Sequence, residues 1–171
     1  MLHEEVARLC NEQINKEFFS AYLYLQFSCY YTDEGLDGFA HWFDVQAQEE
    51  RDHARLFLQY LQHNSTPVTL QPIAQPQQQP DSFLSLLTAS LQHEQSVTQS
   101  IYNIYEAAQR ARDFRTMQFL DWFVKEQGEE EKSAEDLIQK FKLFASDARG
   151  LYLLNQELAA RTYAAPTLTL E

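Results

Sequence analysis

Along most of the chain apolar residues recur at alternating steps of three and four, the period of an amphipathic helix, and no stretch reads as a strand. Gly35, Gly38 and Gly150 fall between periodic segments and are read as punctuation. The pattern predicts helices over residues 3–32, 38–63, 82–112, 114–146 and 151–163, with Asp81 and Asp113 as caps of the third and fourth. Gly128 is the exception, lying inside the fourth helix at a cost of about 1 kcal/mol relative to Ala. Between the second and third helices, NSTPVTLQPIAQPQQQP (residues 64–80) holds four prolines and no helical period, so it is an extended crossover.

That crossover constrains topology. Antiparallel neighbours need only two to eight linking residues, whereas 17 extended residues reach about 56 Å, more than the ~40 Å length of these helices. The expected architecture is all-α: a single domain spanning 1–171, with two helical hairpins joined by one long crossover and a short fifth helix behind them. Leu151, Leu154 and Leu158 line one face of that fifth helix, an apolar stripe expected to be covered by other subunits.

Each of the four long helices carries a buried seam that breaks with acidic residues. Helix one runs Cys10, Ile14, Glu17, Ala21, Tyr24, Ser28, Tyr31, and helix two runs Phe39, Phe43, Gln46, Glu50, His53, Phe57, Tyr60. Helix three gives Leu84, Leu87, Leu91, Glu94, Thr98, Ile101, Tyr105, and helix four Leu120, Phe123, Gln127, Glu130, Ala134, Leu137, Phe141, Phe144. The breaks lie near mid-helix, the one level that antiparallel helices share. Glu17, Glu50, His53, Glu94 and Glu130 are therefore expected to converge.

Buried carboxylates are strongly unfavourable unless protonated or compensated, and none of the 13 Lys and Arg residues falls on a seam. Two divalent cations would cancel four such charges, and carboxylates bridge ions about 3.5–4 Å apart. Oxygen ligands with a single imidazole favour iron or manganese over a thiolate-rich structural zinc. Cys10 and Cys29 lie away from this level, and His3, His41, His63 and His93 lie off the seams and are read as ordinary histidines. On helix four Glu126, Glu129 and Glu130 share a flank, with Glu49 on the facing helix, which predicts a third, weaker cation site beside the first two. The bland alternatives are a protonated polar layer that fixes bundle register and a solvated acidic face.

Composition narrows the class. A net charge of −12 lacks the basic footprint of a nucleic-acid binder. No run of 18 apolar residues or signal-like start occurs, so the expectation is a cytoplasmic protein without a membrane partner. Cys10 and Cys29 fall about 28 Å apart on one helix and cannot pair within the chain, which fits a reducing compartment.

The segments NEQINKEFFSAYLYLQ, AQEERDHARLF, LQHEQSVTQ and WFVKEQGEEEK, in this order and spacing, resemble the bacterial non-haem ferritins over nearly the whole chain. The resemblance implies a ferritin-like five-helix subunit, a homo-oligomeric shell of about 24 copies with octahedral symmetry, and oxidation of Fe(II) by O2 with ferric oxide stored inside. It implies a two-iron ferroxidase centre at Glu17, Glu50, His53, Glu94 and Glu130, with Gln127 beside it and Tyr24 next to the first iron. It also implies a third iron at Glu49, Glu126, Glu129 and Glu130. Bacterioferritins are similar but carry a haem-ligating Met and a second metal-binding His where this chain has Arg51 and Glu130, so no haem is expected. Two other readings stay open: a di-iron oxygenase or peroxidase, which needs a pocket beside the metals, and a non-catalytic helical scaffold.

Overall fold

The computed structural model of the protein describes residues 2–76 and 80–170. Among them are five helices and no strand: α1 (Glu4–Asp33), α2 (Asp37–His63), α3 (Phe83–Arg110), α4 (Phe114–Phe144) and α5 (Ala148–Leu158). α1 packs along α2 and α3 along α4, two antiparallel hairpins, and α1 also meets α3. Tyr31, near the end of α1, donates to the Phe83 carbonyl at the start of α3 (2.7 Å), and Arg110 at the end of α3 reaches Glu5 at the start of α1 (3.1 Å). α1 and α3 are therefore antiparallel too, and the crossover leaves one end of the bundle and arrives at the other. Asn11 ties it to α1 through a reciprocal pair with the backbone of Thr69 (2.9 and 2.8 Å). The predicted crossover includes Gln77, Gln78 and Gln79, which lie outside the described residues.

Helix ends follow cap chemistry where it competes with glycine. Ser82, rather than the expected Asp81, caps α3, forming a reciprocal box with Ser85, and Asp113 caps α4 as expected. α3 and α4 each stop two residues before the predicted ends. The fifth helix differs most: it spans Ala148–Leu158 instead of 151–163, because the Asp147 side chain accepts from the Gly150 amide (2.8 Å) and starts the helix upstream of the glycine. A Cβ on Gly150 would sit 1.6 Å from the Phe144 carbonyl oxygen, so the tight turn between α4 and α5 requires glycine there.

α5 docks on the start of α2, and the expectation for its apolar stripe is corrected. Leu154 and Leu158 are buried within the chain's own core, Leu151 packs against it, and the exposed large apolar side chains of α5 are Tyr152 and Leu153. A Cβ on Gly38 would lie 1.7 Å from the Asn155 carbonyl oxygen. This close approach lets the Asn155 side chain accept from the amides of Gly38 (2.8 Å) and Phe39 (3.2 Å), two donors that the first turn of α2 cannot satisfy itself. At Gly128 an added Cβ would meet nothing within 4 Å, and nothing in the structure explains the glycine.

Two apolar clusters fill the bundle, one towards each end. The first gathers Cys10, Ile14, Phe57, Tyr60, Leu61, Ile101, Leu120 and Phe123, the second Tyr24, Phe27, Tyr31, Phe39, Phe43, Leu87, Leu137 and Leu154. Buried polar residues of all four long helices lie between them. Seam expectations fail in several places: Phe144 is exposed, and Ala21, Ser28, Leu84, Leu91, Tyr105 and Phe141 are only half-buried, with Leu23, Phe27 and Leu86 buried instead. Asn155→Ala should leave two buried amides unpaired and cost about 1–3 kcal/mol by chemical denaturation. An unchanged unfolding midpoint would show that α5 does not cap α2.

Candidate metal centre

At mid-bundle the four helices turn Glu17, Gln46, Glu50, His53, Glu94, Gln127 and Glu130 inward, all of them buried. Ligand atoms of Glu17, Glu50 and His53 lie within 4.8 Å of one another, and so do those of His53, Glu126 and Glu130, with His53 common to both groups. Among the described residues, three buried side-chain atoms here lack a hydrogen-bond partner: Glu17 Oε2, Glu50 Oε2 and His53 Nδ1. His53 Nδ1 stands 3.4 Å from Glu50 Oε2 without the geometry of a hydrogen bond. Orphaned buried polar atoms are costly, and two carboxylate oxygens close to an imidazole nitrogen form a donor set suited to a cation.

Around them a shell of amides and hydroxyls fixes each carboxylate. Gln13 donates to Glu17 (2.9 Å) and accepts from Ser100 (2.7 Å), which accepts from Lys16 (2.5 Å). Gln46 donates to Glu50 (3.2 Å) and Glu130 (2.7 Å). Glu94 accepts from the Tyr24 hydroxyl and from Gln127 (3.1 Å), so the carboxylate of α3 stands outside both compact groups but inside the same layer. Tyr24 is buried against Phe27, Phe43 and His93. Gln13 and Ser100 were not singled out from the sequence, and Gln46 was read only as part of the seam. His93, expected to be unremarkable, pairs with Ser20 (2.7 Å), and burial pushes its pKa down to about 4, which keeps it neutral.

The acidic flank is less uniform than its sequence. Glu126 is half-buried and joins His53 and Glu130, but Glu129 is 62% exposed and faces Lys125 (3.3 Å). Glu49 is held by Arg161, Nη2 to Oε2 at 2.6 Å. Among the described residues no Lys or Arg forms an ion pair with Glu17, Glu50, Glu94 or Glu130, whereas Glu49 on the flank has a cation of the chain's own. Arg161 lies beyond α5, in a segment whose partner no helical period predicts. Cys10 is buried, its thiol pushed up to about 12 chiefly by burial, and Cys29 is exposed; neither belongs to the layer.

Burial, and then the charge of Glu50, raises the pKa of both Glu17 and Glu94 to about 8. Glu50 and Glu130 are also raised, first by burial and next by the charges of Glu130 and Glu94 respectively. Near neutral pH the layer thus holds protons that a divalent cation can displace.

The ferritin-like domain family matches residues 8–144. The bacterial non-heme ferritin of Campylobacter jejuni is 40% identical over 156 residues, covering 91% of this chain and 93% of that protein. That of Staphylococcus epidermidis is 37% identical over 163 residues, covering 95% and 98%. Among solved structures, a closed form of the Archaeoglobus fulgidus ferritin made by site-directed mutagenesis superposes with a TM-score of 0.93 at 38% identity, covering 96% of this chain and all of that one. The open-pore ferritin of the same archaeon gives 0.92 at 38% identity, with 95% and 100% covered. The chain therefore belongs to the ferritin-like domain family, with the all-α bundle of that family.

The raised carboxylates set a pH dependence. The folded chain keeps protons that the unfolded chain loses from about pH 4.5, so metal-free stability is greatest below that value, falls as pH rises and levels off above about 8. Melting temperatures of metal-free protein should fall from pH 5 to 8, and anaerobic Fe(II) at pH 7 should restore stability with release of protons. A melting temperature that climbs steadily over this range would show the layer to be ionised and compensated without metal.

Proposed function

We propose that the protein is an iron-storage ferritin with ferroxidase activity: it binds two Fe(II) ions in the buried acidic layer, oxidises them with O2 and retains the ferric product as mineral within a shell of about 24 copies. The observation that carries the reading is the set of orphaned buried atoms, Glu17 Oε2, Glu50 Oε2 and His53 Nδ1, on three residues whose ligand atoms lie within 4.8 Å of one another. Iron is here the substrate. Glu17, Glu50 and His53 would take one ion and Glu50, Glu94 and Glu130 the other, with Glu50 bridging. Gln127 and Tyr24 would position Glu94, and a third, weaker ion would rest on Glu126, Glu130 and Glu49, with Glu129 at the rim. Each Fe(II) gives up one electron, so a pair supplies two electrons to one O2 molecule.

The chain's own contribution is to desolvate the ions, to release the protons of its raised carboxylates as they bind, and to fix ligand directions through Gln13, Gln46 and Gln127. The family likeness and the absence of a membrane-length apolar helix among the described residues suit a cytoplasmic location. An oxygenase acting on an organic substrate is less well supported: five clefts among the described residues are lined by residues other than Glu17, Glu50, His53, Glu94 and Glu130.

Aerobic Fe(II) addition, followed by ferric absorbance and by electron microscopy for mineral-filled shells, tests the reading. Replacing Glu17, Glu50, His53 or Glu94 by Ala should slow oxidation by about ten- to a hundred-fold while the fold persists. Metal-free stability of the carboxylate variants should hold or rise, since a buried repulsion is removed. Wild-type rates in Glu50→Ala would contradict the centre. In anaerobic titration, Glu49→Gln with Glu126→Gln should reduce the Fe(II) bound per chain from about three to two; an unchanged count would reduce the flank to a solvated face.

A further inference from the structure

Beyond α5 the chain turns back and runs along the α2–α4 face, over the acidic layer. In chain order Arg161 meets Trp42, Gln46 and Glu49, Tyr163 donates to Asp52 (2.6 Å), Thr167 accepts from Trp122 (3.0 Å), and Leu168 and Leu170 pack on the apolar cluster at the far end. The strap is thus fastened at both ends, with Arg161 beside the candidate centre. The guanidinium lies 4.3 Å over the Trp42 ring and donates to the Trp42 carbonyl (3.1 Å), to Gln46 Oε1 (2.8 Å) and to Glu49 Oε2 (2.6 Å). Its side chain is only 20% exposed. A stacked, forked and largely desolvated guanidinium is a positioned group rather than a surface charge.

Two consequences follow for the layer. Glu49 Oε2 already has a cation and Oε1 accepts from the Ala164 amide (3.5 Å), so a metal ion at that carboxylate competes with both. By taking Gln46 Oε1, Arg161 also fixes the amide so that Nε2 faces inward, where it donates to Glu130 Oε2 (2.7 Å) and Glu50 Oε1 (3.2 Å). The contacts run unbroken from the strap through one amide to two carboxylates of the layer.

We propose that Arg161 is a positioning residue that acts as the chain's own counter-cation: it competes with a third divalent ion for Glu49, keeping that ion weak, and orients Gln46 towards Glu50 and Glu130. The proposal rests on the two-ion centre with its third, weaker ion proposed above, and deepens it. Its difference from a purely structural strap is a competition between one protein cation and one metal ion for the same carboxylate.

Anaerobic titration of the assembled, full-length protein with Co(II), followed by calorimetry and by the visible spectrum of the bound ion, tests it. In Arg161→Gln the third Co(II) should bind at least about tenfold more tightly than in the native protein, following the loss of one competing cation and the gain of a free carboxylate. The spectrum of the first two ions should also shift as Gln46 loses its anchor. Arg161→Lys should keep most of the native weakness, since the charge remains, and the added Glu49→Gln in Arg161→Gln should abolish the gain. An unchanged third affinity in Arg161→Gln, with two tight ions in both proteins, overturns the counter-cation while leaving the two-ion centre standing. A gain that survives Glu49→Gln overturns it equally. Absence of tight ions in the native protein defeats the centre and the proposal together.

Discussion

The structure turns on buried negative charge. Glu17, Glu50, Glu94 and Glu130 sit where the apolar cores of two half-bundles would otherwise fuse, and each is held out of water by packed aromatic and aliphatic side chains. Such a layer is unstable as four free carboxylates and tolerable as protonated acids or as ligands. Everything nearby serves one of these states: amides of Gln13, Gln46 and Gln127 direct single lone pairs, the Tyr24 hydroxyl engages Glu94, and Glu17 Oε2 and Glu50 Oε2 are left without a hydrogen-bond partner, as is Nδ1 of His53. A bundle evolved only for stability would place leucines here.

The topology exists to bring that layer together. Residues separated by more than a hundred positions, Glu17 and Glu130, meet only if four helices cross their midpoints at one height; the short turn makes α2 antiparallel to α1, and the long crossover makes α3 antiparallel to α1 as well. Asn155 then locks the open end by capping α2 through Gly38, while Asn11 fastens the crossover to α1. Stability is thus carried by the ends, which leaves the middle available for groups that packing alone would reject.

Much of this is legible in sequence because helical periodicity is strict. Glu17, Glu50, His53, Glu94 and Glu130 stand out as polar residues in apolar seams, and equal distance from the helix ends predicts a shared level. What periodicity cannot carry is contact made outside a regular element. Arg161 follows the last helical turn, so nothing in its spacing points to Glu49; the alternation of Thr167, Leu168, Thr169 and Leu170 is the only trace of an extended strap. Ser100 and Gln13 are equally silent, since each reads as an ordinary polar interruption until its partner is known. The fifth helix is misplaced for a related reason: Gly150 reads as a stop, whereas the Asp147 cap and the nearby Phe144 carbonyl put it inside the first turn. Local cap chemistry and tertiary crowding outweigh a residue's average preference.

The central claim is that the acidic layer is a cation site and not a protonated spacer. Its most direct test is anomalous diffraction at the iron edge from crystals soaked anaerobically with Fe(II). The account predicts two strong peaks per chain within coordination distance of Glu17, Glu50, His53, Glu94 and Glu130, with Glu50 between them. A layer that shows no anomalous density at saturating Fe(II), its carboxylates still paired with Gln13, Gln46 and Gln127 alone, would contradict it.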